Sequence, residues 1–178
     1  MFRGIRKSWA DRHAVPGGPI TLTWRRPALE LDLETPIKRA VGYWYGDKEA
    51  YGYHGIETFQ SMVERRKGGE TGLAWVQSLD GPEVWKWTAV NPWALKLLEE
   101  AMRNDDSLTP LPLEEVKDPM LFLLGYRSGL VGVLYLLNGK TQQAGFAAEI
   151  EGKADPVSCC FLTQWAALQV AARFAREP

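Results

Sequence analysis

Residues 55–69 read GIETFQSMVERRKGG, and this stretch decides the class of fold. Ile56, Phe59 and Val63 recur at spacings of three and four positions, which places them on one face of an α-helix. The two glycines that close the stretch follow a basic turn and favour a helix end. The spacing therefore predicts an amphipathic helix over residues 55–67.

Segments before and after this helix in the chain have the character of strands. Their apolar residues alternate with polar ones, or they are rich in branched and aromatic residues. Nine segments are strand candidates, of which we expect six to eight to form the sheet: residues 20–24, 29–33, 37–45, 72–79, 84–87, 121–126, 130–138, 144–152 and 156–162. Asp80 and Gly81 predict a hairpin turn before the fifth of these segments. Asn91 and Pro92 predict the start of a second helix. The two further helices cover residues 92–103 and 165–176.

These elements predict an α+β fold. We expect one predominantly antiparallel or mixed β-sheet, of six to eight strands, with two or three helices packed on one face. The helices do not alternate regularly with the strands, so a doubly wound parallel sheet is not expected. The Pro/Gly cluster at residues 15–19 separates an N-terminal arm, residues 1–14, from a single α+β sheet domain over residues 15–178.

The composition is that of an ordinary globular protein and excludes several functional classes. Lys and Arg number 21 against 22 Asp and Glu, a net charge of −1, so we expect no binding to nucleic acid. No apolar run is long enough for a transmembrane helix, and no apolar stretch follows the basic N-terminus, so we expect no membrane association and no secretory signal. Cys159 and Cys160 are adjacent, which predicts two reduced, structural thiols on a strand and a cytoplasmic location.

Motifs of nucleotide binding and of serine hydrolases are missing from the sequence. It contains no GxGxxG, no phosphate-binding loop and no GxSxG. His13 and His54 are its two histidines, so we expect no metal site and any histidine mechanism must use one of them. We expect His13 to be solvated in the arm. His54 is predicted where a strand gives way to the helix, and it either packs on Tyr51 or Tyr53 or faces a ligand.

The segment at residues 51–72, YGYHGIETFQSMVERRKGGETG, resembles a family of known proteins. It is similar to the substrate-side portion of uncharacterised bacterial proteins related to the Gfo/Idh/MocA oxidoreductases. Supporting similarity covers roughly residues 15–162, including the segments at residues 22–27, 81–93, 122–129, 137–139 and 156–158.

The resemblance implies a sheet domain that in those relatives follows a dinucleotide-binding domain. Such a domain carries an Asp-x-Gly-x-His junction whose histidine faces the substrate. Gly52 and His54 match this pattern, but Ala50 stands at the aspartate position with Glu49 beside it. Because 14 residues precede the Pro/Gly cluster, we expect no dinucleotide-binding domain, and hence no bound cofactor, in this chain.

The candidate site residues come from the same segment. His54 and Glu57, one helical turn apart, are the candidate catalytic pair. Tyr51, Tyr53 and His54, together with the basic run at residues 65–67, are the candidate ligand-binding residues. The alternatives are that Glu57 is a solvated helix residue and that Arg65, Arg66 and Lys67 only cap a helix C-terminus.

Three functions follow from this pattern. The first is a stand-alone substrate-binding and oligomerisation sheet domain without dehydrogenase activity of its own, which binds a small polar ligand and forms a homo-oligomer through its sheet face. The second is a subunit of an NAD(P)-dependent oxidoreductase whose Rossmann domain is a separate chain. The third is an unrelated small-ligand-binding domain. Whether the chain is an enzyme is left open by the sequence.

Overall fold

A computed structural model describes residues 24–162, whose backbone forms a seven-stranded sheet and three α-helices. The strands are β1 (Trp24–Arg26), β2 (Ile37–Trp44), β3 (Leu73–Asp80), β4 (Met120–Tyr126), β5 (Val131–Leu136), β6 (Ala144–Ile150) and β7 (Val157–Leu162). The helices are α1 (Lys48–Val63), α2 (Pro82–Ala89) and α3 (Pro92–Met102), with a 3₁₀ turn at Leu113–Glu115.

The strand order across the sheet is β1-β7-β6-β2-β5-β4-β3. Among the described strands, the central pair β2 and β5 is parallel, with Tyr43 opposite Tyr135, and the other pairs are antiparallel. This mixed sheet confirms the α+β fold expected from the sequence.

Helices lie on both faces of the sheet, whereas the sequence led us to expect them on one. Successive strand residues point to opposite faces. Ala40 and Trp44 of β2 belong to a buried cluster with Phe59 of α1, while Val41 and Tyr43 belong to a second cluster with α2 and α3. The central strands are apolar on both faces, which is why two layers of helix can cover them.

The position of α1 is set by the Phe59 ring, which lies directly on the backbone of two central strands. A side chain at Gly42 of β2 would begin 2.8 Å from a ring carbon of Phe59, and one at Gly132 of β5 would begin 2.6 Å from another. Real Cβ atoms do not approach so closely, so these two positions must be glycine for the helix to pack at this depth. We call this arrangement the Phe59 contact.

Helix α1 begins seven residues before the predicted start at residue 55. Asp47 is its N-cap and accepts the backbone N–H groups of Glu49 and Ala50, each at 3.0 Å. The prediction that His54 marks a strand–helix junction is therefore wrong, because His54 lies inside the helix. Gly52, Gly55 and the two tyrosines at positions 51 and 53 are weak helix formers, so helix propensity does not reveal this first half of α1.

Two predicted strands are wrong. Residues 84–87 belong to α2, which starts at Pro82 after Gly81, so the valine and the two tryptophans of this segment lie on a helix. Residues 29–33 form an irregular segment in which Leu31 is buried and Leu33 is exposed. Five alternating residues are not enough to form a strand when no neighbouring strand pairs with them.

The remaining predicted strands and the helix after Asn91 are confirmed with small changes at their ends. Asn91 precedes that helix, but its side chain donates to the carbonyl of Trp87 at 2.8 Å and does not cap it. Most of the first predicted strand, the N-terminal arm with His13, and the helix predicted at residues 165–176 lie outside the described residues.

Within residues 24–162, no helix combines the length and apolar character that a membrane crossing requires.

Candidate functional site

His54 and Glu57 lie three residues apart on α1, so their side chains project from the same face of the helix. The Nδ1 atom of His54 is 3.8 Å from the Oε2 atom of Glu57. The Glu57 side chain is 10% exposed and that of His54 is 35% exposed. Glu57 is thus a buried carboxylate beside a partly exposed imidazole, and the alternative of a solvated helix glutamate is wrong.

The orientation of the imidazole is defined by its buried edge. Nδ1 of His54 has no hydrogen-bond partner among the described residues and is shielded from solvent. Because about a third of the side chain is exposed, the opposite edge of the ring, which carries Nε2, faces outward. A separation of 3.8 Å is within the range of an ion pair and longer than a hydrogen bond.

Two further buried polar atoms belong to Thr58 of α1 and to Trp44 at the end of β2. Thr58 follows His54 by one helical turn, and Trp44 packs on α1 where it passes Gly55. The Thr58 hydroxyl and the Trp44 indole N–H lack a hydrogen-bond partner within residues 24–162. Buried groups of this kind are uncommon in folded proteins and are satisfied by water or by a ligand when they persist.

The two tyrosines named from the sequence have different surroundings. Tyr53 is 61% exposed, and its ring stands edge-on to the His54 ring with the centroids 5.7 Å apart. Tyr51 packs inward on Tyr45, with a centroid distance of 4.7 Å, and fills the space beside Gly46. Tyr53 therefore joins His54 at the surface, and Tyr51 supports the start of the helix.

The basic run at residues 65–67 does not join this site. It follows the end of α1 and pairs with Thr35, whose backbone bonds to Arg65 and Lys67, so the prediction of a basic turn within the helix is wrong. His54 precedes the last helical residue by nine positions, roughly 14 Å along the axis.

Each of the two arginines of that run has a structural partner. Arg66 is buried and donates to Ser128, to the carbonyl of Val63 and to Thr71. Its guanidinium also lies 4.2 Å from the centre of the Tyr126 ring. Arg65 lies 3.6 Å from Glu30, an ion pair on the surface.

A second polar cluster, centred on Asp105, was not predicted from the sequence. The buried carboxylate accepts the Tyr43 hydroxyl at 2.8 Å, the Ser107 hydroxyl at 2.7 Å and backbone N–H at 2.8 Å, and the Thr141 hydroxyl. With four donors the carboxylate is fully engaged, so we assign the cluster a structural role. Its members lie up to 98 positions apart in the chain, and no local sequence motif predicts that they meet.

The two cysteines are buried and unbridged, as the sequence predicted. The Cys160 thiol donates to the side-chain oxygen of Gln143. Burial raises the pKa of each thiol to about 12, which keeps both in the unreactive thiol form at neutral pH.

The junction between β2 and α1 does not fit the pyrophosphate of a dinucleotide. Such a group is bound by free N–H groups at a helix N-terminus. Here the Asp47 carboxylate accepts the N–H groups of Glu49 and Ala50 and places negative charge at the same point. In the part of the chain that the structure describes, no group of three His, Cys, Asp or Glu side chains could hold a metal ion.

Comparisons of this chain with family models, with curated proteins and with solved structures found no match. None of these comparisons links the chain to Gfo/Idh/MocA sheet domains.

The Asp105 cluster predicts unequal effects for two tyrosines that lie opposite each other on β2 and β5. Tyr43→Phe removes a donor from a buried carboxylate and should lower the free energy of unfolding by about 1.5–3 kcal/mol. Tyr135→Phe is the matched control, because among the described residues its hydroxyl bonds only to that of Thr88, and it should cost about 1 kcal/mol. Urea denaturation measures both. Equal losses would contradict the special role of Asp105.

The raised thiol pKa values predict slow alkylation of the native protein. At pH 8 a thiol with a pKa of about 12 holds about a thousandfold less thiolate than an exposed cysteine. Iodoacetamide should therefore leave Cys159 and Cys160 unmodified in the folded chain and modify both in guanidinium chloride, as read by mass spectrometry. Alkylation at the same rate in both states would show that the thiols are not buried.

The same pKa values predict how stability depends on pH. Because folding raises the pKa of each thiol, the contribution of the two thiols to stability is complete below pH 9 and is lost as the pH rises toward 12.

Proposed function

We propose that this domain binds a small, hydroxyl-bearing polar ligand at the His54 side of α1 and does not transfer hydride by itself. The observation that supports the proposal is the His54–Glu57 pair, in which a buried carboxylate backs the inner edge of a partly exposed imidazole. Paired histidine and carboxylate side chains of this kind hold one ring nitrogen ready for a ligand.

Glu57 acts in this proposal as a positioning residue. A carboxylate beside Nδ1 favours the proton on that nitrogen, which leaves the outward Nε2 with a lone pair. Nε2 then accepts a hydrogen bond from a ligand hydroxyl. A neutral imidazole suits a polar, uncharged group better than it suits an anion, and the arginines that would favour an anion are engaged elsewhere.

Tyr53 supplies the second contact. Its exposed ring stands beside His54, so a ligand that reaches Nε2 also meets an aromatic surface. The C–H faces of a polyol or a sugar pack well on such a ring while their hydroxyls bond at its margin. The ligand class that fits both neighbours is therefore a small polyhydroxylated molecule.

Hydride transfer would need a bound nicotinamide and an acid–base group for the alcohol proton. Ala50 stands where the family resemblance places a carboxylate, and Asp47 occupies the N–H groups that a pyrophosphate would use. These features favour a binding domain over a complete oxidoreductase. A separate Rossmann subunit remains the alternative source of an NAD(P) site. We also propose a cytoplasmic location, in keeping with two free, adjacent cysteines.

The proton position on His54 tests the role of Glu57. Nitrogen–proton correlation NMR, recorded where the imidazole is neutral, distinguishes the two tautomers, and His13→Gln assigns the signals. We expect the Nδ1–H form to predominate in the wild type and in Glu57→Gln, which keeps an acceptor oxygen. In Glu57→Leu the Nε2–H form should predominate. The Nε2–H form in all three proteins would contradict the positioning role.

Ligand binding is tested on the same signals with glycerol, erythritol and sorbitol as probes. At least one should shift the His54 resonances saturably and leave those of His13 unchanged, and Tyr53→Ala should weaken that binding up to about tenfold. No saturable shift with any probe would overturn the proposal. Tight binding of NADH, read as quenching of tryptophan emission, would replace it with the oxidoreductase alternative.

A further inference from the structure

Strand β3 forms one edge of the sheet, and most of its side chains are exposed. Val76 is 57% exposed and Trp75 is 46% exposed, although both are apolar. The Trp75 ring lies over Gly125 of the neighbouring strand, so it extends across the sheet and away from the outer side of β3. Among the described strands, β3 is the one that carries two adjacent exposed large apolar residues, and its other side is paired with β4.

No strand within residues 24–162 pairs with the outer side of β3, so the backbone groups on that side have no ladder partner among the described residues. The N–H of Gly81 donates to the carbonyl of Pro119 at 2.9 Å, in register with the pairing of β3 and β4. Because paired residues alternate along an antiparallel ladder, Val76, Ser78 and Asp80 direct their N–H and C=O groups away from β4. Only another extended strand presents groups at the matching spacing.

Natural edge strands are normally protected by lysine, proline or a covering loop. From Leu73 to Leu79 the strand has no charged residue and no proline. A bulge interrupts its pairing only at its start, between Leu73 and Trp75, so the stretch from Trp75 to Asp80 is regular. The β3 edge therefore lacks the features that normally prevent pairing with another strand.

We propose that β3 pairs antiparallel with β3 of a second copy of this chain, about a two-fold axis at Gln77. In this register Trp75 faces Leu79 of the second copy on the face that carries α2, which is a contact between two apolar residues. Asp80 is the one charged residue of the strand, and it faces Ala74 of the second copy, so like charges do not meet. The net charge of −1 adds little repulsion between copies.

This interface is independent of the proposed ligand and replaces the sheet face as the surface of self-association. Most residues that line the two faces of the central strands are buried beneath other parts of the chain. An edge-to-edge pair of this length is small, so we expect a dimer with a dissociation constant in the micromolar range.

Sedimentation velocity of the full chain, from micromolar to submillimolar concentration, tests the proposal with three variants. Val76→Lys places a charge on the edge, and Ser78→Pro removes one outward N–H without touching the bonds to β4. Val90→Lys is the matched control, since Val90 is 76% exposed and lies outside the strand. Far-UV circular dichroism confirms that each variant is folded.

We expect the wild type and Val90→Lys to dimerise alike, and the two β3 variants to raise the dissociation constant about tenfold or more. A wild-type chain that stays monomeric over the whole range would overturn the proposal. So would a dimer that both β3 variants leave intact, because its interface must then lie elsewhere. A monomer that instead binds an extended peptide at this edge would also contradict pairing with a second copy.

Discussion

The close approach of the Phe59 ring to Gly42 and Gly132 is the contact on which the α1 half of the structure depends. It allows α1 to pack directly on the backbone of β2 and β5, the central parallel pair. Because a helix is rigid over a few turns, fixing Phe59 also fixes Glu57 and His54, which precede it by two and five residues. The depth of this packing is therefore what buries the Glu57 carboxylate and leaves the outer edge of the His54 ring in solvent.

Strand β2 links this contact to the opposite face of the sheet through neighbouring residues. Gly42 faces α1, while Tyr43 faces α3 and bonds to Asp105 just beyond the end of that helix. Apolar packing against helices stabilises both faces, and the second face adds a hydrogen-bonded carboxylate. A shift of β2 by one residue would exchange them, so the strand has one register that satisfies both.

The sequence predicts most strands correctly because their apolar residues have the right period, but it fails where tertiary contacts override local preference. The first half of α1 contains Gly52 and Gly55, which lower helix propensity, yet the Asp47 cap and the sheet beneath stabilise it. The spacing of His54 and Glu57 is readable from the sequence. The burial of Glu57 and the gathering of partners around Asp105 are not, because they arise from residues distant along the chain.

The most direct test of this account is the environment of the α-protons of Gly42 and Gly132. We predict strong nuclear Overhauser effects from one α-proton of each glycine to the ring protons of Phe59, together with upfield ring-current shifts of those α-protons. Such a result would establish the packing depth of α1, on which the geometry of His54 and Glu57 depends. Glycine α-protons at unperturbed shifts, with Phe59 in contact with other residues, would contradict the account.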